Sequence, residues 1–390
     1  MILTSHPESA AQRVRARARQ IHPQIVIHAE TQLTELLETL PVLSKSDLVR
    51  HLPSDECWLE TSVLFSETSG TTGQPLQTPR GAGDLAWNAI NQASAYRRFL
   101  QPGVDRVAIL HPSILSPFIE ASSIALRELS IGQVRVFPIP RVCDYRRIFE
   151  VLDRYRITTV MSTPSLVYKL LYEFAKLGEG RSPRSLKKLL LTGEELSPSS
   201  IRNFKQIIGP DSLVVPFVYG SSEAATLMLG REDGLFDPVL DDFVFELRGS
   251  DEDDGKKLIV TWLRDGLMPI LRYDTGDYFE IIPANSPALR FLGRIGSNSV
   301  ERRFRSKVEQ AVHLLDKPVF HYQGTFSEVN RQLNVSVVVV APSDATMKFA
   351  LEEKLREYLP SWQATVDVNP EFIEFTQFSP APKTGKLTSC

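Results

Sequence analysis

Between residues 104 and 218, short apolar segments alternate with amphipathic helical patterns. The apolar segments cover residues 107–110, 134–137, 158–161, 188–191 and 213–218. The helical patterns begin near Ser116, Tyr145, Ser165 and Ser197. At the last of these, a serine that can cap a helix precedes Pro198, which suits the first helical turn. This alternation predicts a mainly parallel sheet covered by helices.

The pattern changes over residues 239–292, where extended segments are separated by acidic or glycine-containing turns. Segments 243–247, 258–262 and 278–282 predict antiparallel strands in a small barrel-like part. The polar segment 293–299 predicts a domain boundary. It is followed by helical patterns near 306–315 and 346–358 and an apolar segment at 335–340.

We therefore predict an α/β fold with two domains. Residues 1–294 form a large domain of helix-covered, mostly parallel sheets plus the antiparallel part. Residues 295–390 form a small, mobile α+β domain. At the other end of the chain, residues 10–50 predict short helices that are broken at Pro23 and Pro41, and a longer helix is predicted over residues 84–99.

Composition and charge exclude several functional classes. The 42% hydrophobic and 23% charged content is typical of a globular protein, and a net charge of −3 gives no footprint for nucleic acid or an anionic membrane. Cys57, Cys143 and Cys390 lack metal-site or disulfide spacing and suit a reducing compartment. No apolar segment reaches membrane-spanning length and no secretory signal pattern opens the chain, so we expect a cytoplasmic protein.

The segment from Glu67 to Pro75 is the first candidate for chemistry. Six of its nine residues are Ser, Thr or Gly. Glycine lets the backbone turn tightly and approach a ligand closely, while backbone N–H groups and hydroxyls can surround an anion. The Gly-Lys-Ser/Thr ending of a Walker A loop is absent. We predict a polyphosphate-binding loop, with an ordinary surface loop as the alternative.

Two further loops follow predicted parallel strands. In such sheets, ligands bind beyond the carboxyl ends of the strands, in loops that lead to the next element. The rule selects residues 191–195 and 217–223 as candidate site loops.

Motifs in these loops and in three later segments occur in an order that resembles the core motifs of the adenylate-forming superfamily. The motifs are Gly193-Glu194-Glu195, Tyr219-Gly220-Ser221-Ser222-Glu223, Arg272-Tyr273-Asp274-Thr275-Gly276-Asp277, Gly293-Arg294 and Pro382-Lys383-Thr384-Gly385-Lys386. This superfamily contains acyl-CoA synthetases, nonribosomal adenylation domains and luciferases. The resemblance spans residues 68–386. The short N-terminal part and the segment Leu40-Pro-Val-Leu-Ser-Lys-Ser-Asp-Leu48 are most similar to the phenylacetate–CoA ligase branch.

The resemblance implies that ATP binds in the large domain. It implies that the loop holds the β- and γ-phosphates through Thr68, Ser69, Gly70, Thr71, Thr72 and Gly73. Gly193 and Glu194 would line the base pocket, and Tyr219 would stack on adenine next to Gly220 and Ser221. Ser222 would contact the α-phosphate, and Glu223 would hold Mg²⁺, which prefers oxygen ligands.

The remaining implied roles concern the ribose, the hinge and catalysis. Asp277 would accept hydrogen bonds from ribose hydroxyls, and Arg294 would contact ribose or phosphate at a hinge over residues 294–298. Lys386 would neutralise charge that builds up on the α-phosphate, together with Thr71 and Ser222. Each of these side chains also has an ordinary structural alternative, such as a core tyrosine or a turn-capping aspartate.

The acyl pocket is implied by the same resemblance. His111, Ser165, Phe217 and Val218 would line it. No lysine or arginine stands out as a partner for a second substrate charge, so an aromatic or modest apolar carboxylic acid fits best.

Three departures from the superfamily pattern concern phosphate contact and the second half-reaction. The lysine often found after the loop proline is replaced by Leu76, and Arg80 is a candidate substitute. Gly296 stands at a hinge position that is usually acidic. Residues 300–305 replace a glycine-rich segment that serves the thioester step.

Three functional hypotheses remain. The first is activation of the acid with ATP and Mg²⁺, followed by transfer to coenzyme A. The second is adenylation alone, in a secondary-metabolite or antibiotic pathway such as one that uses phenazine-type acids. The acyl-adenylate would then pass to a phosphopantetheine carrier protein, an amine or a reductase. The third is a non-enzymatic sensor of nucleotide or acyl groups.

Overall fold

The structure is a computed structural model. It describes residues 1–51, 55–68, 75–111, 115–139, 142–178, 182–249, 255–283, 287–294, 299–315, 317–340, 345–369 and 385–389.

The helices and strands are numbered separately in chain order. The helices are α1 (Pro7–Ile21), α2 (Leu33–Thr39), α3 (Lys45–His51), α4 (Asp55–Thr61), α5 (Ala82–Phe99), α6 (Pro117–Glu128), α7 (Tyr145–Arg154), α8 (Pro164–Lys176), α9 (Pro198–Ile208), α10 (Ser299–His313) and α11 (Ala345–Tyr358). The strands are β1 (Ile2–Leu3), β2 (Arg106–Leu110), β3 (Gly132–Val136), β4 (Thr159–Ser162), β5 (Lys188–Leu191), β6 (Leu213–Pro216), β7 (Val218–Ser221), β8 (Ala225–Gly230), β9 (Phe236–Pro238), β10 (Phe243–Arg248), β11 (Lys256–Trp262), β12 (Tyr273–Ile282), β13 (Ala288–Arg294), β14 (His321–Ser327), β15 (Gln332–Val338), β16 (Gln363–Asn369) and β17 (Lys386–Ser389).

Strands β3, β2, β4, β5 and β6 form, in that order, the parallel sheet. Its side chains alternate between two buried clusters, one packed against α7, α8 and α9 and the other against α5 and α6. Burial on both faces explains why these strands are almost continuously apolar in sequence. The predicted helix-covered parallel sheet is confirmed.

The helices on this sheet begin at capped positions. The side chains of Ser116, Thr163 and Ser197 accept hydrogen bonds from backbone N–H groups two or three residues ahead, and a proline follows each of them. A hydroxyl cap satisfies an N–H group that the helix itself cannot pair, and proline suits the first turn. These local signals place the predicted helix starts correctly.

The antiparallel sheet has the order β1, β10, β11, β12, β13, β9, β8, β7. It is larger than the predicted barrel-like part, because it also takes in the N-terminal β1 and the strands β7 to β9. The apolar segment 213–218, predicted as one strand, divides at Phe217. β6 ends the parallel sheet, and β7 begins the antiparallel sheet two residues later. The two sheets therefore meet at Phe217.

The C-terminal sheet, with the order β16, β15, β14, β17, packs one face against α10 and α11 around a separate apolar cluster. Its helices and strands confirm the predicted α+β pattern. The division at residues 294 and 295 stays a prediction, and residues 295–298 of the expected hinge lie outside the described residues. No helix in the described ranges is both long and apolar enough to cross a membrane.

Candidate functional site

Tyr219, Asp277 and Arg294 form a hydrogen-bonded group where β7, β12 and β13 lie in one sheet. The Tyr219 hydroxyl donates to Asp277 Oδ2 at 2.7 Å, and Arg294 Nε donates to Asp277 Oδ1 at 3.1 Å. Arg294 reaches this carboxylate because it pairs with Asp277 in the β12–β13 register. Each carboxylate oxygen keeps a lone pair for a further donor.

Burial controls the electrostatics of this group. Asp277 is 4% exposed. Burial raises the pKa of Asp277, and the charge of Arg294 and the Tyr219 hydrogen bond offset part of that rise. Burial and the neighbouring Asp277 charge raise the pKa of Tyr219 well above its usual value. Tyr219 is therefore a neutral phenol, and its O–H group donates a hydrogen bond to the Asp277 carboxylate.

The Tyr219 ring lies among three phenylalanine rings. Its centroid is 4.9 Å from Phe279, 5.9 Å from Phe291 and 6.2 Å from Phe236. Edge and tilted contacts of this kind fix a ring's orientation. The residue is partly exposed, and stacking on adenine stays a prediction.

The loop after Tyr219 turns sharply back into β8. A Cβ on Gly220 would lie 2.1 Å from the Ala225 carbonyl oxygen, so no other residue fits here without a shift of the backbone. The Ser221 hydroxyl accepts from the Ala224 N–H at 3.1 Å. The turn places Ser222 and Glu223 at its tip.

Glu223 is a buried carboxylate with a cationic partner. It is 5% exposed, and Lys45 Nζ lies 2.7 Å from Glu223 Oε1. Lys45 is the first residue of α3, and Leu43, two residues before it, pairs with Tyr273 at the start of β12. Mg²⁺ prefers carboxylate and phosphate oxygens, and its binding at Glu223 stays a prediction.

The described ends of the predicted phosphate loop are firmly bound to each other. The Thr68 N–H donates to the Leu76 carbonyl at 2.9 Å, and the Leu76 N–H donates to the Thr68 hydroxyl at 2.9 Å. Glu67 and Gln77 extend this pairing. Ser69, Gly70, Thr71, Thr72 and Gly73 lie outside the described residues.

The expectation that Arg80 replaces a phosphate-binding lysine is wrong. Arg80 is 1% exposed, and its guanidinium donates to the Ser222 and Glu223 backbone carbonyls. Leu76, at the position of that lysine, is also buried.

Glu194 and Ser165 contact each other, although they were predicted to line different pockets. Glu194 Oε2 accepts from the Ser165 N–H at 3.1 Å and from its hydroxyl at 2.6 Å. The carboxylate therefore binds the first turn of α8, where a negative charge is favoured. Gly193 has φ of +81°, which gives the preceding turn its shape.

The other predicted acyl-pocket residues lie beside the parallel sheet. His111 follows β2, and its ring centroid is 6.0 Å from that of Phe118. Phe217 is fully buried, and its ring centroid lies 4.4 Å from that of Tyr96. Val218 is 4% exposed. In this structure the Phe217 and Val218 side chains belong to the core.

Lys386 begins β17 and is exposed. With residues of β14, β15 and β16 it lines an open groove of about 420 Å³ on the C-terminal sheet. Arg305 of α10 donates to the carbonyl of the next residue, Leu387, at 2.7 Å. Within the described ranges, no hydrogen bond or ion pair links Lys386 to Glu223 or Asp277, so the structure does not bring it to them.

Sequence reasoning missed the contacts of Lys45 and Arg80 with the Ser222–Glu223 loop. Lys45 stands in the segment that indicated the phenylacetate–CoA ligase branch, so its position was noticed but its partner was not. Lys45 and Glu223 are 178 residues apart in the chain, since 223 − 45 = 178. Arg80 is 142 residues from Ser222 and 143 residues from Glu223. No local pattern reports such a contact.

The chain belongs to the AMP-binding enzyme family, whose profile matches residues 1–241. It is also similar to N-(5-amino-5-carboxypentanoyl)-L-cysteinyl-D-valine synthase of Streptomyces clavuligerus, with 27% identity over 183 residues. That segment covers 46% of this chain and 21% of the relative. The match therefore spans about a fifth of the relative's length.

Solved structures confirm the fold. A 2-hydroxyisobutyryl-CoA ligase in the postadenylation state, in complex with 2-HIB-AMP, superimposes with a TM-score of 0.75 at 17% identity. This alignment covers 100% of the present chain and 91% of the other. The anthranilate CoA ligase AuaEII in complex with anthranoyl-AMP gives a TM-score of 0.56 at 13% identity, and the alignment covers 81% of the present chain and 65% of the other. The fold is therefore that of adenylate-forming enzymes, with a large N-terminal part.

Proposed function

We propose that the protein activates a carboxylic acid with ATP to an acyl-adenylate, releases pyrophosphate and transfers the acyl group to coenzyme A. The observation that carries this proposal is the arrangement of three motifs around one site. Asp277 is held by Tyr219 and Arg294, and the turn bearing Ser222 and Glu223 follows directly on the strand of Tyr219.

The proposed chemistry is a displacement at the α-phosphorus. A substrate carboxylate oxygen attacks that phosphorus, and the bond to the bridging oxygen breaks as pyrophosphate leaves. Such a reaction depends on orientation and charge stabilisation rather than covalent help from the protein. We assign adenine to Tyr219 and the ribose hydroxyls to Asp277. Ser222 is assigned to the α-phosphate, and the loop from Thr68 to Gly73 to the other phosphates.

We assign Mg²⁺ to Glu223. The ion would neutralise phosphate charge, and a buried carboxylate beside nucleotide phosphates is a suitable oxygen ligand. Lys45 now forms an ion pair with that carboxylate at 2.7 Å. We propose that Lys45 reorients toward a phosphate oxygen when nucleotide binds.

An aromatic acid is the proposed substrate class. His111 and Ser165 are assigned to the lining of its pocket, and Phe217 and Val218 to the core behind that lining, where the Phe217 ring packs against Tyr96 and Phe118. The fold shared with a ligase solved in complex with anthranoyl-AMP is compatible with this class.

A second candidate function is adenylation without transfer to coenzyme A, with a carrier protein, amine or reductase as acceptor. The observation that favours it is α10, which forms a regular helix from Ser299 where the superfamily pattern expects a glycine-rich segment. The partial similarity to a peptide synthase is compatible with this acceptor, and with a secondary-metabolite pathway.

We also propose that residues 1–294 and 295–390 are separate domains. The small domain would rotate about residues 294–298 and so bring Lys386 to the α-phosphate. The unpaired thiols of Cys57 and Cys143 suit a reducing, cytoplasmic setting.

Carboxylate-dependent ATP–pyrophosphate exchange tests the proposed function. Purified protein is assayed with aryl, heteroaryl, fatty and amino acids, with and without coenzyme A. Exchange with one acid, followed by thioester formation, supports the first function. Exchange without any thioester supports the second. Protein that binds ATP but exchanges with no acid favours the nucleotide-sensor hypothesis.

Lys386→Ala tests the proposed catalytic lysine. We expect at least a hundredfold loss of exchange, because charge on the α-phosphate loses its cation. Transfer from preformed acyl-adenylate to the acceptor is expected to continue. An equal loss in both half-reactions would contradict the assigned role, and Lys348→Ala, on α11 of the same region, is the control.

A further inference from the structure

Three consecutive backbone carbonyls in the Ser222–Ala224 turn accept hydrogen bonds from buried side chains. Arg80 donates Nη2 to Ser222 O and, at 3.2 Å, to Glu223 O. Trp262 donates its indole N–H to Ala224 O at 2.9 Å. We refer to this arrangement as the carbonyl clamp.

The two donors of the carbonyl clamp also contact each other. The Arg80 guanidinium carbon lies 5.4 Å from the centre of the Trp262 ring, within the range of cation–π attraction. Arg80 is 1% exposed and Trp262 is fully buried. Buried hydrogen bonds of this kind hold their partners in one arrangement, because breaking one leaves an unpaired polar group without water.

Arg80 carries its charge inside the protein next to Asp84. The closest approach of Arg80 Nη1 to Asp84 Oδ2 is 3.8 Å. Burial lowers the pKa of Arg80, and the charges of Asp84 and Glu223 offset part of that change. Asp84 is held in turn by the Leu267 N–H at 3.3 Å. The guanidinium reaches both carbonyls through Nη2 and presents a planar group to the indole ring, whereas lysine is one bond shorter and has no planar group.

Arg80 also connects the turn to the phosphate loop. Its backbone pairs with Leu64, so it lies at the base of the same two-segment ribbon that closes at Thr68 and Leu76. One residue therefore joins the two chain segments assigned to phosphate and metal. α5 fixes the far end of the turn, because Asn88 Oδ1 accepts from the Thr226 N–H at 3.0 Å.

We infer that Arg80 and Trp262 are positioning residues: the carbonyl clamp fixes the Glu223 carboxylate and Ser222 relative to Thr68 and Leu76, the described ends of the phosphate loop, and so determines how well the site takes a metal–nucleotide complex. The inference rests on the proposed function for the identity of the ligand. Both side chains are buried, so we assign them an action through the turn rather than a contact with the nucleotide.

The test compares Trp262→Phe with Trp87→Phe. The two indoles lie 5.1 Å apart in one core, and each donates to a single backbone carbonyl. Trp87 bonds Asp265 O at 3.1 Å, outside the Ser222–Ala224 turn. Both changes remove one indole N–H and similar volume, so both should destabilise the nucleotide-free protein to a similar extent.

The measured quantity is the ratio of the ATP dissociation constants without and with Mg²⁺, obtained by titration calorimetry. We expect Trp262→Phe to reduce this ratio about fivefold, the effect of one lost hydrogen bond. Trp87→Phe should leave it within about twofold. Equal ratios in the two variants, at equal loss of stability, would overturn the inference.

Arg80→Lys provides a second variant that keeps the positive charge. It should reduce the same ratio, because lysine is one bond shorter, so its ammonium stops short of the position from which Arg80 Nη2 reaches both carbonyls. Arg98→Lys is its control, since Arg98 also bonds a backbone carbonyl, Gly230 O at 3.1 Å, but lies away from the turn.

Amide hydrogen exchange separates the carbonyl clamp from the proposed function. Trp262→Phe should speed exchange over residues 221–226 in the nucleotide-free protein, whereas Trp87→Phe should not. Wild-type protein that binds no ATP would contradict the proposed function, and the exchange result alone would then decide the inference. Unchanged exchange in Trp262→Phe would refute it.

Discussion

At the scale of single residues, the Tyr219 hydroxyl helps to keep the buried Asp277 carboxylate in its charged form. Asp277 loses hydration on burial, which favours its neutral form. The Tyr219 hydroxyl and Arg294 both donate to it and favour the charged form. A charged carboxylate is the better acceptor for ribose hydroxyls, so these two donors matter for the proposed site.

We expect Tyr219→Phe to move the pH dependence of ATP binding. Loss of the hydroxyl removes a bond that favours the charged carboxylate, so the pKa of Asp277 rises further above its usual value. Affinity falls as pH drops through that pKa, and in the variant the fall begins at higher pH. The loss of stability should be about 1 kcal/mol. Titration calorimetry from pH 5 to 8 measures the shift.

Tyr278→Phe is the control for this prediction, because it removes a phenol hydroxyl from the next position of β12. Its pH dependence should match wild type. If ATP affinity falls at the same pH in Tyr219→Phe and wild type, the hydroxyl does not help to keep Asp277 charged.

At the scale of elements, the N-terminus of α9 joins two parts of the fold. The Ser197 hydroxyl accepts from the Ser200 N–H at 3.0 Å and donates to Glu309 Oε1 of α10 at 2.7 Å. The Ser200 hydroxyl donates to the same oxygen at 2.6 Å. Burial raises the pKa of Glu309, and the two serine bonds lower it in part.

We expect Ser197→Ala to lower the free energy of unfolding by about 2 kcal/mol, because it removes both a helix cap and a bond to a carboxylate. Ser116→Ala is the matched control, since Ser116 caps α6 through the Phe118 N–H at 3.4 Å. Its loss should be about 1 kcal/mol. Urea unfolding measures both, and equal losses would mean that the Glu309 bond contributes nothing.

The sequence predicted the elements whose signals are local. Ser197 followed by Pro198 marked α9 correctly, because a cap and a first-turn proline act within a few residues. The division at Phe217 was not predictable, because residues on both sides are equally apolar and pairing partners decide the sheet. The Tyr219–Asp277 bond joins two motifs that the resemblance marked, but the contact itself follows from the arrangement of β7 and β12 in one sheet.

At the scale of the whole molecule, buried histidines lower the stability of the folded protein in acid. Burial lowers the pKa of His313 to about 3 and that of His321 to about 4. The unfolded chain takes up these protons below about pH 6.5, whereas the folded chain does not. Stability from neutral imidazole is therefore complete above pH 6.5 and is lost as pH falls toward the folded pKa.

We expect His313→Phe to reduce the loss of unfolding free energy that occurs as pH falls. His313 lies among aromatic rings, with Tyr322 at 5.6 Å and Tyr168 at 6.2 Å, so phenylalanine suits the site. Between pH 6.5 and 5, wild type should lose about 2 kcal/mol more than the variant. Urea unfolding at each pH measures the difference.

The exposed His28 provides the control, since His28→Phe should leave the pH dependence unchanged. Asp277, with a raised pKa, acts in the opposite direction in every variant, so the comparison between variants cancels its effect. Glu309 acts in the same direction as Asp277, but its Oε1 lies 3.7 Å from His313 Nδ1, so its contribution changes together with that of His313. A wild-type curve parallel to that of His313→Phe would contradict the prediction.

The meeting of the two sheets at Phe217 has a consequence for the order of folding. The Phe217 N–H bonds the Leu191 carbonyl of the parallel sheet, and its own carbonyl accepts from Gly230 of the antiparallel sheet. The antiparallel sheet also needs β1 and β10, which are more than 240 residues apart, as Ile2 pairs with Glu246. Contacts between such distant segments form slowly. A partly folded chain with only one sheet would lack the nucleotide site, so acquisition of ATP binding during refolding would mark the last long-range step.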